Sequence, residues 1–542
     1  MNMTRPGGQT PGGDGGPSPF FVAGEDCRDA APPPRILLIS YHFPPGQSVG
    51  GLRWQQFSRY AHERGWGVDV ITLDPEDVDA ADHDRLGLLA KGTRVWGVPE
   101  EPLAVDRLED ATWRLYRRVK DAVSRDGDGE AGSSEGRRAS VKAEELDWLP
   151  RSPRDLYRAF NAWGDHAGGA AWARRAEEVA RSVFDGSLHT VVVTCGPPHM
   201  EHLAGRALNR SEGVPWVMDM RDPWGCMPRL QPDTASPLWL ALAGYHERRC
   251  VRDADLVVAN TEPAREALAE AHPEASGKMI TVMNGFDEDA PPEVTNDDGV
   301  FRIAFAGTIY LDRDPRPLFR AAARVVDRLG LSPDHFRMEL MGHVAEYEGR
   351  PVRDLAREAG IEEHLVLHEP RPRSEALRFL AGSEVLLSLP QDLKVAIPSK
   401  IFEYMQFPAW ILVLARRDSA AERVLRDTGA DVVEPGDEEA LARVLAERYQ
   451  QFEAGETPRP LAEDHPSLSR RQQAHALLDA IERWRSRPAE GREREQAHVA
   501  VRSSVKAEQS DSDFVTSVPG QLPDRSECVT LVVTIDTEED SW

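Results

Sequence analysis

Five cysteines in 542 residues, Cys27, Cys195, Cys226, Cys250 and Cys528, form no Cys-x-x-Cys pair and no regular framework. Neither a disulfide-stapled fold nor a thiolate zinc site is expected, and the thiols read as free in a reducing compartment. Lysine is nearly as scarce. Lys91, Lys120, Lys142, Lys278, Lys394, Lys400 and Lys506 are all there are, and arginine carries the rest of the positive charge. The formal net charge of -26, with an isoelectric point near 5.1, repels polyphosphate and anionic surfaces. That argues against a general nucleic-acid or anionic-lipid binder, and any phosphate site must be local. No apolar run approaches the roughly 18 residues of a membrane-spanning helix. The Gly/Pro-rich N-terminal stretch holds no hydrophobic signal core. A cytoplasmic protein is expected, with docking on the inner membrane face left open.

A chain of 542 residues exceeds one core, so two large domains and some less ordered segments are expected. Residues 1–33, rich in Gly and Pro, are expected to be disordered. An N-terminal domain over 34–290 begins with the apolar strand Arg35 to Ser40. The loop with Gly50 and Gly51, a helix through Trp54 and Phe57, and the strand Val68 to Leu73 follow. That order is a βαβ unit, whose loop leaves the carboxyl end of a strand, where open α/β sheets bind ligands. Gly50 and Gly51 allow close backbone approach, and Gly51 is expected to face a cleft; a plain tight turn is the alternative. No Gly-x-Gly-x-x-Gly occurs there, so the dinucleotide fingerprint is absent. Residues of about 100–185 read as an insertion around the low-complexity run 124–140. The alternating pattern then returns with strands near 190–194, 215–219, 255–259 and 279–283.

Residues 288–299 read as an interdomain linker, and 300–460 as a second α/β series. A crossover helix over 461–486 is expected, then a disordered stretch over 487–527. In the second series Pro398 pre-sets a helix start at Ser399 and Lys400, where backbone N–H groups and the lysine suit a diphosphate. Glu403, three residues on, shares the face of Lys400 and suits ribose hydroxyls. A capped helix with a surface Lys/Glu pair is the alternative.

Several separated runs carry a family resemblance: RILLISYHFPPGQSVGGLRWQQFSRYAHERGWGVDVIT, VVVTCGPPHMEHL followed by WVMDMRDPW, DADLVVANT, MNGFD, FRIAFAGTIY and IPSKIFEYM. Over about residues 35 to 485 they resemble bacterial glycosyltransferase family 4 enzymes of the GT-B fold, an α/β class with two Rossmann-like doubly wound domains facing across a cleft. The resemblance implies a retaining transfer of a sugar from a nucleotide-diphosphate sugar to a glycan or lipid-linked acceptor, in cell-surface polysaccharide biosynthesis. It implies donor binding by Gly50, Gly51, Gly307, Arg313, Arg316, Ser399, Lys400 and Glu403. Lys400 and His199 would serve catalysis, and Asp219, Arg221, Asp222 and Trp224 the acceptor. A loop histidine and a structural Arg/Asp pair remain the alternatives for His199 and for the 219–224 set.

Many such enzymes carry a second glutamate eight positions before Glu403, where this chain has Val395. That departure keeps open a GT-B protein that binds nucleotide without turnover, and a nucleotide-sugar epimerase as a third reading. The Asp-x-Asp pairs lie in polar loops or lead into a strand, so no required metal is expected. Residues 528–542 resemble the start of a truncated polysaccharide deacetylase-like domain; a random acidic tail is the alternative.

Overall fold

The computed structural model describes residues 17–24, 33–78, 81–101, 141–143, 146, 149, 151–225, 229–294, 298–310, 313–391 and 393–486. The run 124–140, the stretch 487–527 and the deacetylase-like segment 528–542 lie outside them. Two compact units emerge: one from Met1–Leu103, Ala167–Asp219 and Asp253–Asp255, the other from Ala104–His166, Met220–Arg252 and Leu256–Trp542. The main helices are, in chain order, α1 (Val49–Glu63), α2 (Pro153–Val183), α3 (His202–Glu212), α4 (Pro237–Asp253), α5 (Glu262–Ala271), α6 (Arg316–Leu329), α7 (Arg373–Ala381), α8 (Ser399–Tyr404), α9 (Glu438–Glu453) and α10 (Arg470–Arg485).

In the first unit the strands are β1 (Phe21–Val22), β2 (Arg35–Ile39), β3 (Gly67–Leu73), β4 (Arg94–Val98), β5 (His189–Cys195) and β6 (Trp216–Arg221), whose last two residues pass into the second unit. They hydrogen-bond in the order β1-β4-β3-β2-β5-β6. All pairs but β1/β4 are parallel. Continuous apolar runs suit this arrangement, since helices cover both faces of a parallel sheet; Ile36 to Ile39 and Val191 to Val193 are buried accordingly. Residues 17–24 fall within the stretch expected to be disordered, and they are ordered. The apolar run Phe20 to Ala23 covers the edge of β4, with Phe20 N donating to Val95 O and Ala23 N to Thr93 O, both at 2.9 Å.

One carboxylate ties four strands of this sheet at their amino-terminal part. Asp69 of β3, fully buried, accepts from Arg35 Nε at 2.7 Å, Arg94 Nε at 2.7 Å and His189 Nε2 at 2.8 Å. Burial alone would raise its pKa. The hydrogen bonds from Arg94, His189 and Arg35 outweigh that and hold the carboxyl well below the usual range.

In the second unit β7 (Leu256–Ala259) and β8 (Met279–Thr281) form a parallel pair. Strands β9 (Phe301–Ala306), β10 (Phe336–Met341), β11 (Leu365–His368), β12 (Val385–Ser388), β13 (Trp410–Leu414) and β14 (Asp431–Val433) form an all-parallel sheet in the order β11-β10-β9-β12-β13-β14. Phe301, Phe305, Leu318, Phe319, Phe336 and Leu441 fill one side of it, and Ile401, Phe402 and Tyr404 of α8 pack on the other. The last helix starts at Arg470, inside the span 461–486 expected for it, because Ser469 caps it by accepting from Gln472 N at 3.3 Å. The turn Asn284 to Asp287 is docked on that start: Arg470 N donates to Phe286 O at 2.7 Å and Phe286 N to Leu468 O at 3.1 Å.

Glu384, just before β12, accepts from Arg302 N at 2.6 Å. Burial pushes its carboxyl up to about 7, against the lowering effect of its backbone hydrogen bonds and of Arg302. A raised folded pKa adds stability that is complete below the unfolded value and is lost as pH rises through about 7. Glu384→Gln is therefore expected to remove roughly 2 kcal/mol of stability loss between about pH 5 and pH 8, after discounting for partial solvent contact. Urea midpoints measured across that range check it; equal slopes in both proteins would refute the assignment.

Candidate functional site at the strand ends

Every strand of the second sheet ends on the same side, because all its pairings are parallel. The loops after β9, β10, β11 and β12 therefore converge there. Gly307 follows β9 with φ +145°, and Gly342 follows β10 with φ +117°, backbone conformations that favour glycine. A Cβ at Gly342 would overlap the carbonyl oxygen of Gly307, and one at Gly307 would overlap Lys400 Nζ. The two glycines thus let two strand ends and one lysine share a small volume.

Lys400 arrives from α8. This helix spans only six residues, with Pro398 as its N-cap at φ -58°, ψ 132° and no side-chain cap bond. Pro398 thus stands one position earlier than the first turn expected from sequence, and so short a helix has little dipole to offer. Its buried face, Ile401, Phe402, Tyr404 and Met405, turns Ser399, Lys400 and Glu403 outward on the opposite face, as their spacing predicts. The two charges then part. Lys400 Nζ donates to Ala306 O at 2.9 Å and lies 5.2 Å from the Phe305 ring centroid, beside Gly307. Glu403 instead pairs through Oε1 with Arg373 Nη2, at the first residue of α7.

Arg373 escaped the sequence reading, since it lies 30 residues before Glu403 and only the tertiary structure brings the start of α7 to α8. Of the other cations, Arg313 is the one brought to the glycine loop: its Nη1 donates to Thr308 O at 3.0 Å and its guanidinium lies 4.5 Å over Tyr310. Arg316 is tied instead to Asp314 at 2.8 Å and Glu348 at 3.4 Å. Val395 is buried, its carbonyl accepts from the Thr261 hydroxyl, and Lys394 O accepts from Ala420 N at 2.8 Å, so the loop between β12 and α8 is pinned.

In the first unit Gly50 and Gly51 form the first turn of α1, where Ser48 Oγ accepts from Gly50 N at 3.2 Å. Gly51 is buried, and a Cβ there would lie 3.2 Å from Phe43 Cα and 3.4 Å from His42 C. This corrects the expectation that Gly51 faces a cleft: it packs against the preceding loop's backbone, so a bulky substitution there perturbs folding and cannot report on ligand approach alone. His199 is buried at the start of the turn before α3, its ring 5.7 Å from that of His202. The same turn is fastened through Glu201, which accepts from Tyr41 N at 2.6 Å.

The set from 219 to 224 divides. Asp219, expected to serve the acceptor, is fully buried and accepts from Arg53 Nε at 2.8 Å and Trp54 Nε1 at 2.9 Å, so it anchors α1; this is the alternative of a structural Arg/Asp pair, with Arg53 as the arginine. Trp224 is buried, its ring stacked 5.8 Å from that of His246. Glu247 of α4 holds its backbone by accepting from Trp224 N and Gly225 N, each at 2.6 Å. Arg221 and Asp222 keep solvent contact, and Arg221 has φ +55°, an uncommon conformation for a side chain with a Cβ, closed by Asp222 N donating to Met220 O at 2.6 Å.

No protein-family model matches the chain, and no curated protein matches it in sequence. Solved structures do. HepE of Anabaena in complex with UDP and glucose is similar over 83% of this chain and 99% of its own, with TM-score 0.51 and 12% identity. A glycosyltransferase of Rickettsia africae is similar over 84% and 100%, with TM-score 0.50 and 12% identity. The N-terminal domain of trehalose-6-phosphate phosphatase of Candida albicans is similar over 86% and 100%, with TM-score 0.54 and 12% identity. At this identity the likeness concerns the fold, and with the two α/β sheets described above it establishes that this chain has the GT-B fold, built from two Rossmann-like domains.

Proposed function

We propose that the chain is a glycosyltransferase that moves a sugar from a nucleoside-diphosphate sugar to a glycan or lipid-linked acceptor, with retention, in the manner of family 4. The observation that carries this reading is Lys400 Nζ held 2.9 Å from Ala306 O at the carboxyl end of β9, in the place that a side chain at Gly307 would take. HepE, which shares the fold, was solved with UDP and glucose, which supports a uridine nucleotide as the first donor to try. In the reaction the bond from the anomeric carbon to the diphosphate oxygen breaks and one to the acceptor oxygen forms. The acceptor proton passes to the departing diphosphate. Lys400 and Arg313 stabilise the charge that develops on that leaving group. His199 is assigned to the reacting sugar, and Arg221 and Asp222 to the acceptor. The reading needs no metal ion, since the cations are side chains; a chelator should leave turnover unchanged.

A screen of nucleoside diphosphates and their sugars for thermal stabilisation tests the reading, with product analysis on any hit. A ligand at about 100 times its Kd should add about 2.7 kcal/mol of stability. Glu403→Gln is expected to weaken nucleotide binding by roughly 1.5 to 3 kcal/mol, the loss of a charged hydrogen bond to ribose. Arg373→Ala should not weaken it, because Arg373 occupies the same carboxylate that ribose would take. Titration calorimetry on both variants decides; unchanged affinity in Glu403→Gln sinks the ribose assignment. The second reading, binding without transfer, is favoured by the burial of Val395 where a sugar-gripping carboxylate would stand. Stabilisation by a nucleotide sugar with no product from any acceptor would select it.

A further inference from the structure

The part of α2 in the second unit buries Ala162 and His166 and turns its other side outward. There Leu156 is 61% exposed, Tyr157 45%, Phe160 44% and Trp163 45%. The spacing 156, 160, 163 is one helical face. Helix α4 adds Leu238 and Tyr245, at 38% and 50% exposure. These six are most of the exposed large apolar side chains among the described residues. They sit on a fixed platform: Trp239 Nε1 donates to Asp165 Oδ2 at 3.0 Å, His166 packs edge-on to Trp239, and Arg158 Nε donates to Pro232 O at 2.8 Å.

The charge of this platform runs against that of the chain. Residues 149–166 and 229–252 contain Arg151, Arg154, Arg158, Arg229, Arg248, Arg249 and Arg252 against four carboxylates, Asp155, Asp165, Asp233 and Glu247. Asp155 accepts from Ser152 N at 3.0 Å, Asp165 from Trp239, and Glu247 from Trp224 and Gly225, while Asp233 faces solvent; the arginines outnumber these four carboxylates. At physiological salt the Debye length is about 8 Å, so a surface in contact feels these arginines and not the distant acidic majority. We propose that this face of α2 and α4 docks on an anionic lipid bilayer, with the aromatic and leucine side chains entering the headgroup boundary and the arginines meeting lipid phosphates. A second copy of the chain is the poorer occupant: an isologous contact sets arginine against arginine between two molecules that each carry -26. No helix among the described residues is long and apolar enough to cross a membrane, so docking of this kind would be peripheral.

Co-sedimentation with phosphatidylcholine vesicles, with and without phosphatidylglycerol, tests the proposal. The full chain is expected to bind phosphatidylglycerol-containing vesicles at least about tenfold more tightly than neutral ones, and the triple variant Leu156→Gln, Phe160→Gln, Trp163→Gln to lose about tenfold. Its melting temperature should stay unchanged, since the three side chains are exposed. If it melts lower, Arg151→Glu with Arg154→Glu replaces it and must show the same loss. Wild-type protein that stays in the supernatant, or variants that pellet like wild type, overturn the proposal. So does light scattering that shows a wild-type dimer and a monomeric triple variant, which would give the face to a second copy. Vesicle binding needs no donor, so a chain that docks but binds no nucleotide fails the transfer reading alone.

Discussion

Lys400→Ala is expected to cut turnover at saturating donor at least about a hundredfold, or about 3 kcal/mol of transition-state stabilisation. The lysine is delivered to the end of β9 by a helix whose other face is core, and its amine is held 2.9 Å from Ala306 O. Loss of that one hydrogen bond should cost only about 1 kcal/mol of stability, so the variant should fold and can be assayed. Lys400→Arg should recover part of the rate, because charge is kept while the compact amine is not. Gly307→Ala probes the same point without touching the charge. Its Cβ would overlap Lys400 Nζ, and φ +145° disfavours alanine. A comparable rate loss is therefore expected with the lysine still present. Wild-type turnover in Lys400→Ala would remove the diphosphate assignment.

The second large effect is on stability. Asp69→Ala is expected to cost at least about 4 kcal/mol, because it leaves the Arg35 and Arg94 charges beside an apolar hole and removes the hydrogen-bond partner of His189. The pH dependence follows from the depressed carboxyl. The stabilisation is complete above the unfolded pKa of about 3.9 and is lost as pH falls below it. Wild-type protein should therefore lose stability on acidification more steeply than Asp69→Asn does. Urea unfolding at neutral pH and in steps from about pH 4 down to about pH 2 gives both quantities, and a neutral-pH cost below about 1 kcal/mol would show the cluster to be incidental. The slope is opposite in sign to that expected from Glu384, so the two groups are separable in one pH series.

The sequence by itself determined most strands of both sheets, since their runs are apolar throughout and bounded by Gly, Pro or polar residues. The strands expected near 190–194, 215–219, 255–259 and 279–283 are found as His189–Cys195, Trp216–Arg221, Leu256–Ala259 and Met279–Thr281. It also determined that Ser399, Lys400 and Glu403 share the outward face of α8, because a 3.6-residue period admits no other arrangement once Ile401, Phe402 and Tyr404 are buried. Partners distant along the chain were not legible. That Glu403 meets Arg373, that Arg53 and Trp54 hold Asp219, and that one Asp69 joins Arg35, Arg94 and His189 follow from the tertiary structure. Gly51 shows the limit most plainly. Local pattern established a glycine in the first turn of a helix, and only the fold decided that the missing side chain makes room for the backbone of His42 and Phe43. Helical and strand periods are set by bonds between near neighbours, whereas the environment of any one side chain depends on which elements the tertiary structure brings beside it.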